Sequence, residues 1–401
     1  MVKNINWEYV SLSHFGTIAR GKSKHRPRND AVLYGGKYPF IQTSDIKHAN
    51  FYVNSYSQTY NEVGLAQSKL WPKDTLCMTI AANIAETALL SFPACFPDSV
   101  VGFVSDNKKS DVKFVKYALD NSKREFQKTA KGTAQDNLSL EKIDTLKIKA
   151  PDVETQSRIA SVLSTYDDLI ENNEKRIRIL EEMAQRLYTE WFVKFKFPVY
   201  EKVRMVNSGT EFGKIPEGWE VKRIGDFAIV NMGQSPESKY YNTKCEGFPF
   251  HQGVADFGNK YPIDRVYSTA GNKYAQKHDL LFSVRAPVGR MNIANKKFIL
   301  GRGLCGIRHK DSLQSLLYLM FINKFTEKDM IGNGAIYKSV NKIEIENIEF
   351  LCGTEELEKS FEKVIGNYFY QVEIITTANK ILQDTRDLLI PQLVTGKKEV
   401  Q

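Results

Sequence analysis

The chain has 401 residues, 42% hydrophobic and 11% aromatic, which excludes wholesale disorder and leaves room for two to three domains, each with its own core. Its 56 Lys and Arg against 47 Asp and Glu give a formal net charge of +9, a balance that favours a polyanionic partner. Five scattered cysteines without a C-x-x-C pair indicate neither a disulfide framework nor a zinc site. The amino terminus lacks a cationic segment running into an apolar one, and no apolar run is long enough to cross a bilayer, so a cytoplasmic protein without a membrane partner is expected.

In chain order, one unit is written twice. Trp7, Leu12, Phe15, Gly21 and Ser23 recur as Trp219, Ile224, Phe227, Gly233 and Ser235, and Pro39-Phe40-Ile41-Gln42 recurs as Pro249-Phe250-His251-Gln252. Phe114, Val115, Leu119, Asn121 and Gly132 return as Leu316, Leu317, Phe321, Asn323 and Gly334. The pattern is a tandem duplication with small deletions. Each copy opens with roughly 100 residues of short β-branched and aromatic runs broken by Gly, Pro and Asn, which predict strands and loops. A helix (113–129; 314–330), a Gly-containing loop (132–137; 332–339) and a short strand (145–150; 347–352) follow.

A long helix closes each copy. Steps of four and three give the seam Ile159, Leu163, Tyr166, Ile170, Asn173, Ile177, Leu180, Ala184, Leu187 and Trp191, and again Phe361, Ile365, Tyr368, Val372, Ile375, Asn379, Leu382, Arg386, Leu389 and Leu393. The mean step of 3.5 residues is the coiled-coil period. Centred and antiparallel, the seams set Asn173 opposite Asn379 and Ile177 opposite Ile375. Parallel and in register, each Asn faces an isoleucine and loses its hydrogen bonds, so the antiparallel pair is expected, with Asn173 and Asn379 fixing its register. A helix of that length spans about 50 Å, more than one turn of DNA at about 34 Å.

Two motif matches lack their context. Gly16 to Ser23 fits G-x-x-x-x-G-K-S, but Lys-His-Arg-Pro-Arg follows where an apolar helix face should begin, and the second copy has lost the first Gly and the Lys. Gly301 to Gly306 fits G-x-G-x-x-G, but Ile307-Arg-His-Lys-Asp reads as a strand and turn, so a glycine-rich turn between strands is expected. No metal-spaced histidine pair or nucleophile elbow stands out, and the chain is expected not to be an enzyme. What remains is a set of basic, amide-bearing loops: Lys22, Lys24, His25, Arg26, Arg28, Gln42, Thr43 and Ser44 in copy one, and Gln252, Arg285, Arg290, Arg302, Arg308 and Lys338 in copy two. Lys and Arg neutralise phosphates, and Arg, Gln and Asn reach base edges, so these are the candidate DNA contacts.

Glu190-Trp-Phe-Val-Lys-Phe195, Gly213-Lys-Ile-Pro-Glu-Gly-Trp-Glu220, Ser283-Val-Arg-Ala-Pro287 and Pro391-Gln-Leu-Val-Thr-Gly396 make nearly the whole chain resemble the DNA-specificity subunit of type I restriction-modification systems. The resemblance implies an α+β fold of two tandem mixed α/β target-recognition domains separated by two long helices packed as an antiparallel coiled coil. The boundaries expected are 1–151 and 218–353 for the recognition domains, 152–195 and 354–396 for the helices, and 196–217 for a linker. It further implies double-stranded DNA with a split recognition site as ligand, with DNA methyltransferase subunits and restriction or translocase subunits as partners. S-adenosylmethionine, ATP and Mg²⁺ would then sit on those partners and no cofactor on this chain. Copy one departs from the pattern, with Thr79-Ile80-Ala81-Ala82-Asn83 where copy two has 283–287. Two other readings stay open: a fragment of a self-sufficient DNA modification enzyme, which methyl transfer or cutting by the chain alone would favour, and an assembly scaffold that binds no DNA, which binding without steep salt dependence would favour.

Overall fold

A computed structural model describes residues 6–81, 83–131, 138–325 and 339–400. It contains two units, Met1–Lys175 with Thr376–Gln401, and Arg176–Ile375. Each unit therefore draws on both long helices, Val153–Tyr188 and Glu355–Leu393.

In the first unit the main sheet has the order Gly16–Arg20, Val100–Ser105, Leu76–Thr79, Thr87–Leu90, Tyr52–Val53. All neighbours are antiparallel except the last pair. Leu76–Thr79 and Thr87–Leu90 are buried along their whole length, which explains their unbroken apolar character: a strand covered on both faces has no solvent side to alternate with. One face packs on Phe114, Val115, Leu119, Ile159 and Leu163, the other on Trp71 stacked against Phe96.

The second unit repeats the order with Ala228–Met232, Leu304–His309, Leu280–Ser283 and Met291–Ile293, all antiparallel. The short first strand of each copy pairs antiparallel with the strand before its long helix, Glu8–Val10 with Ile148–Ala150 and Glu220–Arg223 with Glu349–Cys352. The duplication read in the sequence is thus a duplication of hydrogen-bonded topology.

Several local expectations change. The helix expected over 113–129 is two, Val112–Asn121 and Lys123–Lys131, broken at Ser122. Of the helix expected over 314–330, Gln314–Lys324 is present and 326–330 lie outside the described residues, as do the whole of the loop 132–137 and 332–338 of the loop 332–339. One-turn helices, Leu140–Thr145 and Lys342–Glu346, precede the short strands; at five or six residues they are too short to show a periodic apolar stripe. The stretch 196–217 holds a hairpin, Met205–Asn207 with Lys214–Pro216, which buries Ile215.

The helices are set by their ends. Asp152 Oδ1 accepts from Thr155 N at 2.9 Å and opens the first, and Thr354 Oγ1 accepts from Leu357 N at 3.4 Å at the start of the second. The first leaves α geometry at Tyr188 for a wider turn, Thr189–Val193. There Tyr188, Trp191 and Phe192 surround Phe361, and Trp219 packs on Phe192, Phe195 and Phe197. The second helix ends in the first unit on Gly396 at φ +73°, directly against the ring of Trp7. Phe195, at φ +57°, plays the corresponding part under Trp219.

The helix pairing runs antiparallel within each unit. In the first, Asn173 Nδ2 donates to Asn379 Oδ1 at 2.7 Å, and Asn379 Nδ2 reaches the Ile170 carbonyl at 3.4 Å. Six residues earlier on one helix and seven later on the other, Asp167 meets Arg386. In the second, residues 188–192 meet Phe361 at the opposite end of their partner segment.

Candidate nucleic-acid interface

The candidate residues of the second unit are gathered by the backbone. Gly233 N–H bonds the Leu304 carbonyl, Gly301 N–H bonds His251, Gly303 N–H bonds Gln252 and Val284 N–H bonds Gly303, all between 2.8 and 3.0 Å. Arg302 N–H bonds Ser235 Oγ at 3.1 Å. Four segments that are far apart in sequence are thereby laced into one edge, carrying the exposed side chains of Gln252, Arg285, Arg290 and Arg302. Glycine is required at 301 and 303, where a Cβ would stand 2.7 Å from Gln252 Cα and 2.4 Å from its carbonyl oxygen. The first half of the motif, 301–303, is therefore a close-packed turn between Phe298–Leu300 and Leu304–His309, and Gly306 lies within the second of those strands.

The first unit builds the same edge. Gly21 N–H bonds the Val100 carbonyl, Ile41 N–H bonds Cys95, and Ile80 N–H bonds Ser99. The departure at 79–83 leaves the loop's anchor intact. Thr79 Oγ1 donates to the Asn83 carbonyl and accepts from Glu86 N, while Ser283 Oγ donates to the Pro287 carbonyl at 2.7 Å and accepts from Arg290 N at 2.8 Å. In both loops one hydroxyl ties the residues four and seven positions on. What differs is charge: where the second unit carries Arg285, the first has Ala81. Its cations stand instead on the loop after Gly16–Arg20, as Lys22, Lys24, Arg26 and Arg28, all exposed. That loop is tethered by Gln67 Oε1, which accepts from Lys24 N and His25 N, and by Ser68 Oγ, which donates to the Lys22 carbonyl.

Not every candidate points outward unencumbered. The Arg26 guanidinium bonds the Ser23 and His25 carbonyls, shaping its own loop, and Arg28 pairs with Asp98 at 2.8 Å. Arg308 is engaged within its own unit: its Nε and Nη2 grip the Asp279 carboxylate at 2.6 and 2.9 Å, a bond that raises its guanidinium above its ordinary pKa. Ser44 is exposed inside the short helix Thr43–His48, and Gln42 stands at the amino end of that helix. Lys338 lies outside the described residues. Among the described residues no three His, Cys, Asp or Glu are placed to hold a metal ion, and no helix is long and apolar enough to cross a membrane.

The family model for the type I restriction modification DNA specificity domain matches residues 4–182 and 216–380, once per copy. The chain belongs to the type I restriction-modification DNA specificity family. A putative type I restriction enzyme MjaX specificity subunit from Methanocaldococcus jannaschii is 34% identical over 274 residues, 67% of this chain and 63% of that relative's length. The MjaIX specificity subunit of the same organism is 23% identical over 412 residues, 99% of this chain and 94% of the relative. Among solved structures, the type I restriction-modification S subunit from M. genitalium matches 98% of this chain and 97% of its own with a TM-score of 0.64 at 15% identity, a likeness of fold.

One residue of this specificity-family chain escapes the heptad reading. Asp167, not Tyr166, is the buried member at that level of the first helix, where the Tyr117 hydroxyl and the Arg386 guanidinium both reach its carboxylate. Burial pushes the Asp167 carboxyl upward, against the pull of those two partners. The signal was present: a centred register sets Arg386 opposite Tyr166, and an arginine in a seam requires a carboxylate within reach. At the corresponding place the second unit is apolar, with Tyr318 edge-on to Phe369 at 5.5 Å.

Proposed function

We propose that this chain is a non-catalytic DNA-reading subunit that recognises a split double-stranded site, each unit taking one half. The observation that carries the reading is the edge built twice: the same laced segments and the same hydroxyl-tethered loop, with cations relocated from the 22–28 loop in one unit to 285, 290 and 302 in the other. A shared scaffold with different side chains at its rim is what two readers of different half-sites require. Cations on loops anchor phosphates, and amides and guanidiniums beside them address base edges.

Catalysis is assigned to partners. DNA methyltransferase subunits would bring S-adenosylmethionine, and restriction or translocase subunits would bring ATP and Mg²⁺. Support for docking comes from apolar side chains left on the outer faces of the long helices. Val162, Leu169, Ile381 and Leu388 are exposed in the first unit, and Ile179, Met183, Val364, Tyr370 and Ile374 in the second, Leu388 at 74%. Apolar side chains on a solvent-facing helix surface fit a face that a partner covers.

The test is to express the chain with its methyltransferase partner and map N6-methyladenine across the host DNA. A motif of two fixed blocks separated by unspecified bases supports the reading. A contiguous motif, or methylation without sequence preference, overturns it. Binding of the purified chain to duplex DNA is expected to weaken steeply with added salt, several phosphate contacts giving a log–log slope of several units.

A further inference from the structure

Gln58 opens the strand Gln58–Tyr60 and lies across from Phe40 on Tyr34–Phe40. The backbone beneath it is closely packed. The Phe40 and Tyr60 rings stack at 4.1 Å, Tyr60 is fully buried, and Gly36 sits so near Asn61 that a Cβ would stand 2.3 Å from its Cα. The Gln58 side chain is exposed, and its Oε1 accepts from Gln42 Nε2 at 2.6 Å. Gln42 is fixed in turn, its backbone N–H bonding the Asp45 carboxylate at 2.7 Å at the start of Thr43–His48. The segment 95–98 joins this pair to the cationic loop, with Ile41 N–H on the Cys95 carbonyl at 2.8 Å and Arg28 on Asp98.

With its oxygen turned to Gln42, Gln58 presents its amino group, two N–H donors, toward a ligand. Guanine presents two acceptors, N7 and O6, on its major-groove edge; adenine presents one acceptor and one donor, and cytosine a donor. We infer that Gln58 is a specificity-determining residue that reads guanine in the half-site taken by the first unit, and that Gln42 is the positioning residue that orients its amide. The inference rests on the DNA-reading function proposed above. It concerns the first unit alone: across from Phe250, whose N–H bonds the Val266 carbonyl at 2.9 Å, the second unit has a valine with no side-chain donor.

The test uses the full chain with its methyltransferase partner, mapping N6-methyladenine for the natural sequence and for three variants. Gln58→Ala should relax one guanine position, on either strand, in one half of the motif, discrimination there falling on the order of tenfold or more while the other half stays fixed. Gln58→Glu, which exchanges donors for acceptors, should lose guanine there and admit cytosine. Gln42→Ala, which frees the Gln58 amide to turn over, should admit adenine beside guanine at the same position, an outcome that simple loss of loop structure does not give. An unchanged motif in Gln58→Ala overturns the role of Gln58, and a relaxed position that is not guanine overturns the base assignment, each leaving the split-site reading standing. A natural-sequence map without a split motif overturns that reading itself. Retention of the unaltered half-motif in each variant reports that the chain has folded.

Discussion

Asn173 and Asn379 meet amide to amide at 2.7 Å, so that the half-buried Asn173 and the buried Asn379 answer each other in the seam. Were either opposite an aliphatic side chain, its amide would lose hydrogen bonds worth about 1–3 kcal/mol. Accordingly Asn173→Leu is expected to destabilise the chain by about 1–3 kcal/mol. The double change with Asn379→Leu should recover most of that loss, since two apolar partners leave nothing unpaired. Urea denaturation of the two variants checks this; a double variant no more stable than the single would argue that the pair does not set the register.

Asp167 with Arg386 is the stronger constraint. Its carboxylate is buried and shared by Arg386 and Tyr117, so Arg386→Met should leave a buried charge without its cation and cost about 3–5 kcal/mol. Asp167→Leu combined with Arg386→Met should cost far less than the sum of the single changes. A double-mutant cycle showing additivity would contradict the pairing.

Gly396 ends the second long helix in left-handed geometry, with Trp7 ring carbons 2.6 and 2.8 Å from where a Cβ would be. Gly396→Ala combines strained φ with a clash against a large ring that carries the Lys149 ammonium over its face. A loss of at least about 1 kcal/mol is expected, read as a lowered thermal midpoint. Gly209→Ala, also at positive φ but with open space around it, carries the strain without the clash and should lose less.

Glu358 gives the fold a pH signature. Burial pushes its carboxyl up to about 7, against the Gly353 N–H it accepts and the nearby Lys222, with Asp311 and Glu355 adding to the rise. A raised acid binds more protons folded than unfolded, so its contribution is complete below about pH 4.5 and is lost as pH rises through about 7. Glu358→Gln, which keeps an acceptor for Gly353, should remove that loss. Relative to the natural sequence the variant should gain stability between pH 5 and pH 8, and a parallel pair of stability-against-pH curves would contradict this.

Much of this was legible in the residues because it is local and periodic. The 3.5-residue step of the two seams and the matching positions of Asn173 and Asn379 need only counting, and the repeated Trp, Gly and Pro-Phe landmarks disclose the doubled unit. Asp167 was missed because helix winding carries it into the interface one residue beyond the strict seam, a drift that the heptad count does not show. The shared loop anchor was hidden because Thr79 and Ser283 make the same bonds while their neighbours, Ala81 and Arg285, differ. The Gln42–Gln58 contact joins the start of a helix to a strand through the pairing of Phe40 with Gln58, and that register is not written in either segment alone.

The most direct measurement is the methylation map of the chain, with its partner, after Arg285→Gln and Arg302→Gln in the second unit only. One half of a split motif should weaken or change while the half read by the first unit remains as it was. A change in both halves, or in neither, would contradict the assignment of one half-site to each unit.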